Sequence, residues 1–160
     1  MSTNSRFTIA IHALTMMARE NRPLSSSQIA HSVNTNPVTI RKILCSLSNA
    51  GLINTLQGAE GGSMLARAAQ EISLLDVYHA TEQAGVFTLY PSTPNDDCPC
   101  GRHMEPVLAA VFSEAEAAMT RVLAGKSLTD IMHDVDTHLL ADIQPFPQTI
   151  NKQHQASELA

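Results

Sequence analysis

The sequence predicts a mainly α-helical chain with one small β-hairpin, and three observations lead there. Apolar residues recur at helical spacing in several separate stretches. Ser and Asn stand where helix N-caps belong. One Gly-rich segment lies between two short runs of strand-forming residues. With 160 residues and 44% apolar content, the chain has the size of a single domain with a real core.

In chain order, Phe7 to Ala18 carries apolar residues at 7, 9, 11, 14, 17 and 18, a first helix packed beneath the next two. Ser25 followed by Gln28 is a reciprocal capping arrangement that opens a second short helix. Asn34-Thr35-Asn36 breaks the pattern, and Pro37 then occupies a first helical position, where its missing N–H and fixed φ are harmless. Ile40, Ile43, Leu44 and Leu47 give the third helix its buried stripe, and Gly51 supplies a left-handed stop. Leu52 to Leu56 reads as a strand, Gly58 to Gly62 as a flexible tip, and Ser63 to Ala66 as the return strand. Two short helices with a tight break, then a hairpin, make a winged helix-turn-helix, an architecture that places one helix in the DNA major groove.

Beyond the hairpin, Ser73 with Asp76 caps a fourth helix from Leu74 to Gln83. Residues 84–97 hold two prolines, a glycine and several turn formers, and read as a linker. The longest helical pattern runs from Met104 to Leu123. Within it Met104, Leu108, Val111, Ala115, Ala118 and Val122 follow the alternating four-and-three spacing of a coiled-coil seam. That seam fits either an ordinary core helix or the interface of a homodimer. Gly125 ends the helix, Ser127 to Leu140 forms a last one, and the tail after Pro145 is polar. The expected division is a winged helix-turn-helix head over 1–83, a linker or sensor loop over 84–100, a dimerisation helix with a C-terminal helix over 101–144, and a flexible tail over 145–160.

Charge divides along the same line. The whole chain carries −5, yet residues 1–67 carry +4 and the remainder −9. A basic end facing a polyanion and an acidic end that stays in solvent account for this asymmetry. The basic excess is modest, so useful affinity for double-stranded DNA calls for a dimer that doubles the phosphate contacts. The sequence shows no run of eighteen apolar residues and no signal pattern, so no membrane partner is expected and the expected location is cytoplasmic. Three cysteines are no disulfide framework there. Neither a phosphate-cradling Gly loop nor a nucleophile–base motif appears, so an enzyme is not expected.

NTNPVTIRKILCSLSNAGLI, the GAEGGSMLAR hairpin, the ISLLDVYHATE helix and CPCGRHMEPVLAAVFSEAEAAM together resemble the bacterial Rrf-two family of winged-helix regulators. The likeness runs from residue 6 to about 132 and points to the branch with a Cys-Pro-x-Gly-Arg linker motif. It implies a homodimer joined through the long helix that represses by binding a palindromic promoter element. Several members sense redox, iron–sulfur status or nitric oxide through linker cysteines.

Transferred to this chain, the resemblance implies DNA contacts from Arg6, from Ser26 and Ser27 at the head of the second helix, and from Asn36 capping the third. Val38, Thr39, Arg41 and Lys42 follow in the first turn and a half of the recognition helix. Thr39 suits a thymine methyl or a phosphate, and Arg41 a guanine edge. Family wings often carry an arginine just before the glycines. This chain has Gln57 there and Glu60 inside the tip, and an acid repels phosphate. The wing therefore either stands off the duplex or touches its backbone through the Gly61 and Gly62 amides.

Cys98 and Cys100 are the candidate redox sensors, and with His103 the candidate metal ligands. Cluster-binding relatives use three spaced linker cysteines, and a [2Fe–2S] site takes four ligands. Only two thiols are offered here, because Cys45 falls inside the recognition helix and is expected to be inert core. Zinc on two thiols and His103, an iron–sulfur cluster, a thiol redox switch and no sensing role all remain open. A helix N-terminus and Arg102 favour the reactive thiolate, while Asp96 and Asp97 oppose it. In the alternative reading, a winged-helix module docks on another protein and binds little DNA.

Overall fold

The computed structural model describes residues 3–58, 61–82, 85–92, 94–95 and 97–143. Six helices and one antiparallel hairpin follow in the order α1 (Thr3–Glu20), α2 (Ser26–Val33), α3 (Pro37–Asn49), β1 (Ile53–Leu56), β2 (Gly62–Leu65), α4 (Leu74–Thr81), α5 (Pro99–Ala124) and α6 (Leu128–Ile143), with a 3₁₀ turn at Ala69–Glu71. The architecture is mainly α with a two-stranded wing, as the sequence predicts.

Local chemistry sets the boundaries in the head. The Ser25 hydroxyl accepts from the Gln28 N–H at 3.2 Å while the Gln28 side chain accepts from the Ser25 N–H at 2.9 Å. Asn34 ends α2 in the left-handed region at φ 55°, where asparagine is better tolerated than most side chains. Asn36 caps α3 by accepting from Val38 N–H at 2.8 Å, and Pro37 follows at the first helical position. At the far end Gly51 adopts φ 69°. Its N–H reaches the Ser48 carbonyl and the Leu52 N–H reaches that of Leu47, which closes the helix with the Schellman pair.

Those caps aim the apolar stripes inward. Ile40, Ile43, Leu44 and Leu47 of α3 join Ala10, Leu14 and Met17 of α1, Ile29 of α2, and Leu52 and Ile53 before and in the hairpin, in one buried cluster. β1 and β2 pair from Ile53↔Leu65 to Leu56↔Gly62, and Leu24 adds a one-residue bridge to Ser63 on the outer edge of β2. α4 opens on a second capping box between Ser73 and Asp76. It ends at Thr81, two residues short of Gln83, because Glu82 turns to an extended conformation.

One boundary differs more from expectation. The long helix begins at Pro99 rather than Met104, because Pro99 belongs to its first turn instead of the preceding break. Pro106 lies inside it and withholds one N–H from the preceding turn. The C-terminal helix returns to the head. Leu128 is fully buried in the head's cluster, its N–H donates to the Ile72 carbonyl at 2.9 Å, and Arg19 of α1 meets Asp136 of α6 at 2.6 Å. No helix among the described residues is long and apolar enough to cross a membrane. The tail after Pro145 lies outside the described residues.

Candidate nucleic-acid interface

α3 buries one stripe and leaves the other in solvent. Val38, Arg41, Lys42, Cys45, Ser48 and Asn49 are all exposed, spaced three and four apart, and form one outward face. Thr39 is half-buried at its edge. The presented face is polar, carries two cations at its N-terminal half and contains no carboxylate. Such a face suits the edge of a base pair or a phosphate.

A groove of about 510 Å³ runs between this face and the wing. Arg41, Cys45, Ser48 and Asn49 form its helical wall, Thr55, Leu56, Gly61 and Gly62 its hairpin wall, and Leu24 and Leu44 its floor. Ser25 and Ser26, at the start of α2, lie at its margin. Cys45 is a correction: it is exposed rather than inert core, since one residue past buried Leu44 the helix turns the side chain out into the groove. Its sulfur lies 3.9 Å from the Asn49 amide nitrogen.

The other expected contacts fall in several places. Ser26 borders the groove and Ser27 is exposed beside it. Asn36 uses its side-chain oxygen in the cap. Gln57 is exposed at the base of the wing tip, and Glu60 lies outside the described residues. The Gly61 N–H already donates to the Gly58 carbonyl at 3.0 Å and so is not a free phosphate donor. Gly62 is required by packing: a Cβ there would sit 2.8 Å from the Leu24 backbone. Arg6 stands apart on α1, where its charge favours the ionised form of Glu82. Cys45, Ser48, Asn49 and Thr55 had no place among the expected contacts. The signal for the first three was helical phase, since they continue the face that Arg41 begins.

The linker thiols are also exposed. Cys98 occupies the N-cap position of α5 without a side-chain cap bond, and Cys100 lies inside the first turn rather than before the helix. Gly101 is needed where it stands, because a Cβ would come within 2.8 Å of the Asn95 carbonyl. Among the described residues, no group of three His, Cys, Asp or Glu is placed to hold a metal ion. Cys98, Cys100 and His103 therefore do not form such a group: Cys100 and His103 stand three apart on one face of α5, while Cys98 lies at its N-cap. With Cys45 on α3, the thiols do not fit a four-ligand iron–sulfur site either. Upstream, the linker is pinned to α5: Phe87 stacks on Phe112 at 4.6 Å, and the Val86 N–H donates to Glu116 at 3.1 Å. The stack covers one face of the Phe87 ring, which stays 42% exposed.

The Rrf2 family, described as iron-dependent transcriptional regulators, matches residues 3–134. The Bacillus subtilis (strain 168) protein named "Putative HTH-type transcriptional regulator YwnA" is 37% identical over 130 residues, covering 81% of this chain and 96% of that one. A solved structure of "a putative DNA binding protein" is 34% identical with a TM-score of 0.64, covering 79% of this chain and 98% of the other. Another, of a transcriptional regulator from Lactobacillus plantarum, is 25% identical with a TM-score of 0.71, covering 86% and 95%. An outward polar helix face beside a wing, with this family match over most of the chain, shows that the chain belongs to the Rrf2 family and is a DNA-binding transcriptional regulator.

Proposed function

We propose that the chain binds a palindromic promoter element as a homodimer and represses by occupying it, with Cys98 and Cys100 making that binding respond to oxidants. The observation that carries the dimer is α5: across its 26 residues none is buried, and Val111 and Val122 are 56% and 66% exposed. Val107, Leu139 and Leu140 add exposed apolar surface on the same C-terminal helices. A second copy covering these positions removes them from water and sets two copies of α3 at a fixed spacing, which a two-fold-symmetric operator requires. The expected seam residues contribute unequally. Val111, Ala115 and Val122 are exposed, whereas Met104, Leu108 and Ala118 are already half-covered. Repression by occupancy needs no surface beyond the reading heads and the dimer contact.

Redox response rests on the position of two exposed thiols, Cys98 at the N-cap and Cys100 in the first turn of the helix assigned to dimerisation. Oxidation there changes the start of the element that spaces the two heads. A band-shift titration on the region upstream of this protein's own gene, with and without mild peroxide, tests both parts. The reduced protein should bind as a dimer, and oxidation should release it until thiol reductant restores binding. A response that survives Cys98→Ser with Cys100→Ser would overturn the thiol switch. An absence of DNA binding in both states would favour a protein-docking module instead.

A further inference from the structure

Two helices of this chain open on the same pattern. Ser73-Leu74-x-Asp76-Val77-x-His79 recurs as Ser127-Leu128-x-Asp130-Ile131-x-His133. In each, the aspartate accepts from the serine N–H, at 2.9 Å in α4 and 2.7 Å in α6, and the serine hydroxyl accepts from the aspartate N–H in return. The two capped ends then meet. Ser73 and Ser127 form an antiparallel bridge, with the Leu74 N–H donating to the Lys126 carbonyl at 2.8 Å and the Leu128 N–H to the Ile72 carbonyl at 2.9 Å. This clasp is where the C-terminal helices enter the head. Among the described residues beyond 83, Leu128 alone belongs to the head's buried cluster. The Arg19–Asp136 pair is half-exposed and holds less firmly, while Val86 and Phe87 tie α5 to the linker rather than to the head. No slack separates the clasp from α5, which ends at Ala124 and leaves only Gly125 before Lys126. The 26 residues of α5 span about 39 Å, so a turn of about 10° at the clasp moves its far end by about 7 Å, about the rise of two base pairs.

We propose that the clasp between the starts of α4 and α6 sets the angle between the reading head and the dimerisation helix, and so fixes the half-site spacing that the protein accepts. The proposal rests on the homodimer reading and names the part of the fold that makes its operator length-specific. Ser73, Asp76, Ser127, Leu128 and Asp130 are positioning residues that act through the direction of α5. Base sequence within a half-site is read by the head and does not depend on them. The distance between half-sites does, because a two-fold dimer carries that distance in its own geometry.

The test is enrichment of duplexes from a random-sequence pool by the full-length protein and by its clasp variants. The parent should enrich two copies of one half-site at a single spacing. Leu128→Ala, and separately Ser127→Ala with Asp130→Ala, should enrich the same half-site at spacings spread over about two base pairs or more. Two base pairs inserted at the centre of the parent's duplex should weaken parental binding by about tenfold or more, and binding by either variant by less than about threefold. Ser127→Thr keeps a capping hydroxyl and should keep the parental spacing. A purely structural role would lower affinity for every spacing alike and widen none. The paired cap variant removes no core side chain, so it decides the matter where Leu128→Ala fails to fold. A single parental spacing in that variant would overturn the clasp proposal and leave the dimer intact. A changed half-site sequence would overturn it as well, by placing the effect in the head. Enrichment by the parent of lone half-sites that bind one chain would overturn the homodimer reading itself.

Discussion

Glu82 shows how much one carboxyl depends on its surroundings. It is 9% exposed and, among the described residues, its Oε1 has no hydrogen-bond partner. Burial raises its pKa above the ordinary carboxyl value, and the Arg6 charge opposes that rise. Burial also raises the Tyr78 hydroxyl, with Glu82 and Glu116 adding to the effect. For Glu82 the sign follows from linkage: a folded pKa above the unfolded one means the folded state binds the proton more tightly. The destabilisation is absent in acid below the unfolded value and grows as pH rises through the folded one. Glu82→Gln should therefore be more stable than the parent at neutral pH, by about 1 kcal/mol, and converge with it in acid. Denaturant melts across pH check this, and a pH-independent difference would contradict it. Nothing local in the sequence marks Arg6 as the neighbour of Glu82, since one lies on α1 and the other just past α4. Cys45 is the opposite case. Counting four residues from Arg41 places it on the outward face, so its exposure was legible in the helical period.

At the scale of elements, the legible features are those built within a few residues. The Ser25–Gln28 and Ser73–Asp76 capping boxes, Pro37 and Gly51 all stand where the sequence places them, because each is settled between neighbouring backbone and side-chain atoms. The start of α5 was harder to read, since a proline in a turn-rich stretch marks a break or a first helical turn with equal ease. The contact of α6 with α1, made by Leu128 and the Arg19–Asp136 pair, was not legible at all, because no local pattern encodes a partner about a hundred residues away. Two glycines separate backbone strain from crowding. Gly51 has φ 69° and open space where a Cβ would stand, so Gly51→Ala should cost about 1 kcal/mol from the backbone alone. Gly62→Ala meets the Leu24 backbone and should cost more, loosening the bridge between Leu24 and Ser63. Thermal melts of both variants check the order, and equal costs would contradict it.

The whole molecule joins a head with a closed core to a long helix that lacks one. The head's cluster is complete within a single chain, whereas α5 leaves Val107, Val111 and Val122 in solvent. Val111→Glu with Val122→Glu should leave the head folded but shift the protein to monomers, and DNA affinity should fall by more than about tenfold with the loss of the second set of contacts. Sedimentation and circular dichroism on the same sample separate that outcome from misfolding. A dimer that persists with both glutamates would place the interface elsewhere. In the proposed dimer the acidic C-terminal half would leave phosphate contacts to the two heads, so salt sensitivity should belong to α2, α3 and the wing. The most direct measurement is the salt dependence of affinity for a self-enriched duplex, with the number of chains per duplex determined alongside. Two chains bound with a steep loss of affinity as salt rises is the predicted result. One chain per duplex, or an affinity indifferent to salt, would contradict the dimeric DNA reader.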